Sequence, residues 1–141
     1  MAITSAICSS FKQQILVEGH NLTNGADSIK LALYTSSATL GAGTTVFVTT
    51  GQATGTNYSS GGSALTNVTP ALSGTTAVCD FADLTFGTAT VTARGCLLYN
   101  ATNGNKALCA IDFGGDKTST AGDFTVVFPS ATATGAIIRL A

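Results

Sequence analysis

Hydrophobic positions near the start of the chain fall at Ile3, Ala6, Ile7, Phe11 and Ile15, in steps of three and four residues. That spacing lines one face of a helix. It predicts a helix over 5–18, with Thr4 or Ser5 capping its start and Gly19 ending it in a left-handed turn. After Asn24-Gly25 the period changes. Ile29, Leu31 and Leu33 alternate with Lys30 and Ala32, as a half-buried strand requires.

Residues 36–74 are rich in Gly, Thr and Ser, and only Thr45–Val48 and the stretch Leu65–Val68 read as strand. Long loops are uncommon inside compact domains unless they serve a function or pack on a partner, so contacts are expected here first. Within this segment Gly51–Gly62 lacks the Lys-Ser/Thr of a phosphate loop. It reads as a loop that is flexible or ordered by a partner.

The C-terminal half is more regular. Val78–Phe86 reads as one bent strand, because Cys79 and Phe81 occupy one face and Leu84 and Phe86 the other. Ala89, Val91, Ala93, Leu97 and Tyr99 then alternate up to Asn103-Gly104, and Cys109, Ile111 and Phe113 alternate after it. Asn-Gly between such runs predicts a hairpin closed by a type I′ turn. Phe124, Val126 and Phe128 form a further strand stopped by Pro129, and Ala136, Ile138 and Leu140 a last one. About eight short strands and one helix predict a mainly all-β fold, a single antiparallel domain over 1–141.

Composition narrows the function classes. Of 141 residues 45% are hydrophobic and 9% charged, with a formal net charge of -1. Disordered chains combine low hydrophobicity with high net charge, so this one is expected to fold. Six Lys and Arg spread singly along the chain offer no basic stripe for a phosphate backbone or an anionic membrane. Nucleic acid and membrane are therefore not expected partners. A charge this close to zero instead favours association with other protein surfaces. No apolar run approaches the ~20 residues that span a bilayer, and the start lacks a basic, then apolar, leader. The chain is expected to be made in the cytoplasm.

Candidate chemistry is sparse. Nucleophilic catalysis needs a base near a Ser or Cys, and His20 is the one imidazole. It follows Gly19, where a capping or turn role is expected. Cys8, Cys79, Cys96 and Cys109 form no CxxC pair and read as buried free thiols, with a disulfide as the alternative. Asp112, Asp116 and Asp123 lie in a Gly-rich stretch without EF-hand spacing, and turn chemistry accounts for them. Asp80 and Asp83 resemble a carboxylate pair, yet an ion pair between Asp80 and Arg94 of the next strand is the simpler expectation. Asn21, Asn57, Asn67 and Asn100 head glycosylation sequons, which a Thr-rich chain generates by chance. The expectation is a non-enzyme without metal or cofactor.

Several blocks carry a resemblance: Lys30–Ser36, Gly55–Gly62, Thr90–Asn100, Asp112–Pro129 and Ala136–Ala141. In order and over nearly the whole chain, they are similar to the capsid cement, or decoration, proteins of tailed bacteriophages. The resemblance implies a jelly-roll-like β-sandwich that binds the outside of a phage capsid as a homodimer. There it would bridge neighbouring major capsid protein subunits near two-fold positions, with the mature virion as its location. Candidate capsid or dimer contacts are Lys12, on the helix face opposite Phe11, and Phe47 and Tyr58 in the loop-rich segment. The alternative is a glycan- or receptor-binding jelly roll of a tail or surface fibre. Such sites stack sugars on exposed aromatics, and the absence of Trp weighs against it.

Overall fold

The computed structural model describes residues 2–141. Two antiparallel sheets build a β-sandwich with one short N-terminal helix. In chain order the elements are β1 (Ala6–Ile7), α1 (Ser9–Gln14), a 3-10 turn (Ile15–Val17), β2 (Ile29–Tyr34), β3 (Gly55–Thr56) and β4 (Ser63–Ala64). They continue with β5 (Asn67–Ser73), β6 (Thr76–Phe81), β7 (Leu84–Asn100), β8 (Lys106–Val126) and β9 (Ile138–Leu140). The larger sheet runs β1-β8-β7-β2-β4, with β3 also on β7; the smaller runs β5-β6-β9.

The long β7–β8 hairpin is the spine of the molecule, paired from Asn100↔Lys106 to Leu84↔Val126. Strand β2 lies on its other side, from Ile29↔Asn100 to Tyr34↔Gly95. Paired residues share a face, so Leu31, Leu98 and Cys109 form one row across three strands. One core cluster joins this row to Cys79, Phe81 and Ile138 of the smaller sheet. From Gly95 to Asn100 every residue of β7 is buried, because both faces of the sheet are covered there.

The bent strand expected over Val78–Phe86 is two strands in different sheets. β6 ends at Phe81, the chain crosses at Ala82-Asp83, and β7 begins at Leu84. The face reversal seen in the sequence marks that crossing. It is fastened by the Phe128 N–H, which donates to Asp83 Oδ1 at 2.8 Å, and by the tilted Phe81 and Phe128 rings at 5.7 Å.

At the N-terminus the expected helix over 5–18 is shorter, and neither Thr4 nor Ser5 caps it. Ile3 bridges Leu40, and Ala6–Ile7 pair with Ala110 and Cys109 on the edge of β8. That edge offers a ladder of hydrogen bonds, which outweighs the helical spacing of a segment with only two paired residues at stake. Ser5 accepts the Asp112 N–H at 2.8 Å instead of capping. Cys8, with extended φ and ψ, is the N-cap. At the far end Glu18, not Gly19, takes the left-handed conformation, at φ 58°. Gly19 is required for close approach: a Cβ there would lie 2.8 Å from the Gln14 carbonyl oxygen.

The hairpin expected around Asn103-Gly104 is present, with a different turn. Residues 101–105 connect the strands, and the positive φ values fall on Gly104 and Asn105. Asn100 Oδ1 accepts the N–H groups of Thr102 and Asn103, which starts the turn earlier than a two-residue I′ loop would.

Within residues 36–74 lie β3, β4 and β5, and Thr45–Val48 forms no strand. The segment is nevertheless ordered by its own chain. Ala53 N–H donates to Leu33 O, Thr35 N–H to Gly51 O and Leu65 N–H to Ile29 O, at 2.8–2.9 Å. Loops that would otherwise fill the space beside the β2 edge are thus held against it, burying Ala38, Leu40, Ala53 and Leu65. The flexible or partner-ordered reading of Gly51–Gly62 is corrected accordingly.

Candidate functional site

The candidate contact residues separate into three situations. Lys12 is exposed on α1, one residue after the buried Phe11. Phe47 is half-buried, its ring stacked on Tyr99 with centroids 4.7 Å apart. Tyr58 is 8% exposed and belongs to the core. Its hydroxyl accepts the Leu33 N–H at 2.8 Å, and its ring packs on Phe86 at 5.2 Å. A contact role for the Tyr58 ring is therefore corrected. The polar tip of a tyrosine lets it serve as an interior bracket where a strand edge has a spare N–H, which composition alone does not distinguish from a surface aromatic.

The apolar side chains that do face solvent are others. Leu16 is 83% exposed and Val17 follows it on the 3-10 turn; Leu72 on β5 is 74% exposed, and Leu140, Val127, Val46 and Val48 are also exposed. The alternation over Thr45–Val48 that turns Phe47 inward places Val46 and Val48 outward, so this pair was readable from the strand-like pattern of that stretch. Leu72, Ala77 and Leu140 stand in register across β5, β6 and β9. This row borders a groove of about 630 Å³ between α1 and the smaller sheet, lined by Phe11, Ile15, His20, Leu22, Ala77 and Leu140. A second groove, of about 550 Å³, runs along β8 beside Phe113, Phe124, Val127, Phe128 and Ile137. A third, beside Leu40, Val46 and Val48, lies on the loop-rich segment.

No family model, curated protein or solved structure matches this chain. Its chemistry is therefore read from its own side chains.

The expected Asp80–Arg94 ion pair is absent. Arg94 Nε meets Asp112 Oδ1 at 2.8 Å, because Asp112 is the β8 residue opposite Gly95 in the same sheet. That contact raises the Arg94 guanidinium and lowers the Asp112 carboxyl. The expected turn around Asp112 is a bulge within β8, with Gly114 at φ 82° donating its N–H to Asp112 Oδ1.

Asp80 lies on β6 in the other sheet and is 1% exposed. Its Oδ1 accepts the N–H of Phe81, while its Oδ2 has no partner. Burial first, and the nearby Asp83 charge after the opposing Phe81 hydrogen bond, push its carboxyl above the ordinary range. A raised acid pKa means that the folded state resists ionisation. Stability is therefore fullest below the ordinary value of 3.8 and is reduced as pH rises through the raised one. Asp80→Asn, which removes the charge and keeps the shape, is expected to raise the urea midpoint at pH 7 and to leave it unchanged at pH 3.

The four cysteines are free and buried, as expected. Burial pushes the Cys8 thiol up to about 11 and the Cys79 thiol up to about 12, so neither supplies a thiolate near neutrality. Cys8, Cys79, Cys96 and Cys109 all belong to the one core cluster. His20 touches Gln14 and Asn100 rather than a Ser or Cys. Among the described residues no group of three or more His, Cys, Asp or Glu is disposed to hold a metal ion, and no helix is long and apolar enough to cross a membrane. Asn67 and Asn100, two of the four sequon asparagines, are buried and hydrogen-bonded.

Proposed function

We propose that this protein is a structural component of a phage virion, a jelly-roll-like sandwich that binds the capsid exterior and cements neighbouring major capsid protein subunits as a homodimer. The observation that carries this reading is a β-sandwich whose exposed apolar side chains lie on separate elements. Leu16 and Val17, Leu72 and Leu140, Val127, and Val46 and Val48 belong to different elements. Cementing requires contacts with at least two subunits, so that rupturing the shell also breaks them. A body with several apolar patches and 9% charged residues meets that requirement at small desolvation cost. A two-fold dimer would present each patch twice and make the second attachment intramolecular. The resemblance of the sequence blocks to phage cement proteins points the same way, and cementing calls for no acid–base set.

The glycan-binding alternative loses its main residue, since the Tyr58 ring is committed to the core. Particles assembled without the protein are expected to lose resistance to heat, chelator and internal DNA pressure, and to regain it when the purified protein is added. Equal resistance of bare and complete particles would remove the proposal.

A further inference from the structure

His20 connects three parts of the chain. Its Nε2 lies 2.8 Å from Gln14 Oε1 at the end of α1, and its Nδ1 lies 3.0 Å from Asn100 Nδ2 at the end of β7. The orientation of the Asn100 amide is fixed by backbone donors. Its Oδ1 accepts the N–H groups of Thr102 and Asn103 at 3.0 and 3.1 Å, so the atom facing the imidazole is the nitrogen. The other Asn100 amide hydrogen goes to Asp27 Oδ2 at 2.7 Å, and Asp27 Oδ2 also accepts the Asn21 N–H. A donor therefore faces Nδ1. That nitrogen carries no proton, and the single hydrogen of the neutral ring sits on Nε2 and is donated to Gln14. The site accepts one charge state and one tautomer.

We propose that His20 is an acid-operated latch: a solvent proton added at Nδ1 sets two donors against each other, the Asn100–His20 contact opens, and α1 loosens from the β7–β8 turn. Asn100 does not turn over in response, because Thr102 and Asn103 hold its oxygen and Asp27 holds its nitrogen. The charged groups facing the imidazole are Lys106 from β8, which opposes a second cation, and Asp27 from the segment after the 3-10 turn, which favours one. From α1 come the Phe11 ring, 4.9 Å away, and the Gln14 amide. Burial and Lys106 together outweigh Asp27 and hold His20 below its ordinary 6.5. The folded protein thus binds this proton less readily than the unfolded chain. The contribution to stability is full above 6.5, falls as pH drops through 6.5 toward the lowered value, and levels off below it. Phe11, Ile15 and His20 line the groove between α1 and the smaller sheet, so the latch forms part of that groove's wall.

Two measurements on the intact protein test this. Imidazole nitrogen NMR at pH 7.5 is expected to show a protonated Nε2 and a bare Nδ1, with titration below 6.5. Hydrogen exchange at the Lys12, Ile15 and Gly19 amides, corrected for intrinsic rates, is expected to show the opening constant rising by up to about tenfold per pH unit as one proton is taken up. In His20→Gln the same amides are expected to show no such rise. A protonated Nδ1 at pH 7.5, titration at or above 6.5, or an unchanged pH dependence in His20→Gln overturns the latch. Should His20→Gln fail to fold, the tautomer and titration of the native protein decide the matter alone.

Discussion

Gly62→Ala is expected to destabilise the domain by about 3 kcal/mol and to lower Tm by about 10 °C. Gly62 precedes β4 at φ 74°, a left-handed conformation that side chains with a Cβ rarely adopt. A Cβ there would sit 1.7 Å from the Leu31 carbonyl oxygen and 2.6 Å from the Leu31 carbonyl carbon. Backbone, unlike the tip of a flexible side chain, has no room to yield. The alanine therefore forces the chain away from β2, and with it the Lys30↔Ala64 and Leu31↔Ser63 pairs. Gly43 is the control: its Cβ would meet nothing within 4 Å, so Gly43→Ala is expected to stay within about 0.5 kcal/mol of wild type. Urea midpoints distinguish the two. A neutral Gly62→Ala would mean that the loop-rich segment is not seated on the β2 edge.

Asn100→Ala is expected to cost a similar amount, about 3 kcal/mol, for a different reason. Asn100 is fully buried, and its amide serves Thr102 N–H, Asn103 N–H, His20 Nδ1 and Asp27 Oδ2. Truncation removes all four hydrogen bonds and leaves a cavity where a fully buried side chain stood, while of the four groups only Asp27 Oδ2 keeps a second partner, the Asn21 N–H. Asn100→Asp separates hydrogen bonding from volume. It keeps the shape and both turn contacts but sets a carboxylate oxygen 2.7 Å from Asp27 Oδ2, where a donor is required. At pH 7 its urea midpoint is expected to fall at least as far as that of Asn100→Ala. If Asn100→Asp were neutral, the amide would not be the organising group of the turn.

The sandwich was legible because its strands are half-buried and alternate. Val91, Ala93, Leu97 and Tyr99 on one arm, and Cys109 and Phe124 on the other, carried enough period-2 signal to place the hairpin. The N-terminal segment was not legible in the same way. Ile3, Ala6 and Ile7 follow helical spacing, and only Ile3 and Ile7 would also share a face of a strand; the decision is made by an open edge of β8, more than a hundred residues away in sequence. The crossing at Ala82-Asp83 was visible as a face reversal, but a bend and a change of sheet leave the same local trace.

The contact residues were less legible than the fold. Phe47 and Tyr58 were selected as loop aromatics, yet both are drawn inward, by Tyr99 and by the Leu33 N–H respectively. The exposed positions are Leu16, Val17, Leu72 and Leu140, whose apolar character reads in sequence as core. Asp80 and Arg94 were paired on the assumption that consecutive strands lie side by side, and the change of sheet between β6 and β7 removes that neighbourhood. Asn100 was noted only as a sequon, though its position beside a Gly-containing turn is where an asparagine amide commonly replaces backbone hydrogen bonds.

The proposed structural role on a phage capsid exterior can be read from the composition of purified mature heads. The protein is expected to cosediment with them in a ratio to the major capsid protein that stays fixed from one preparation to the next. Recovery of the protein only in the unassembled fraction, or at a ratio that varies between preparations, would contradict it.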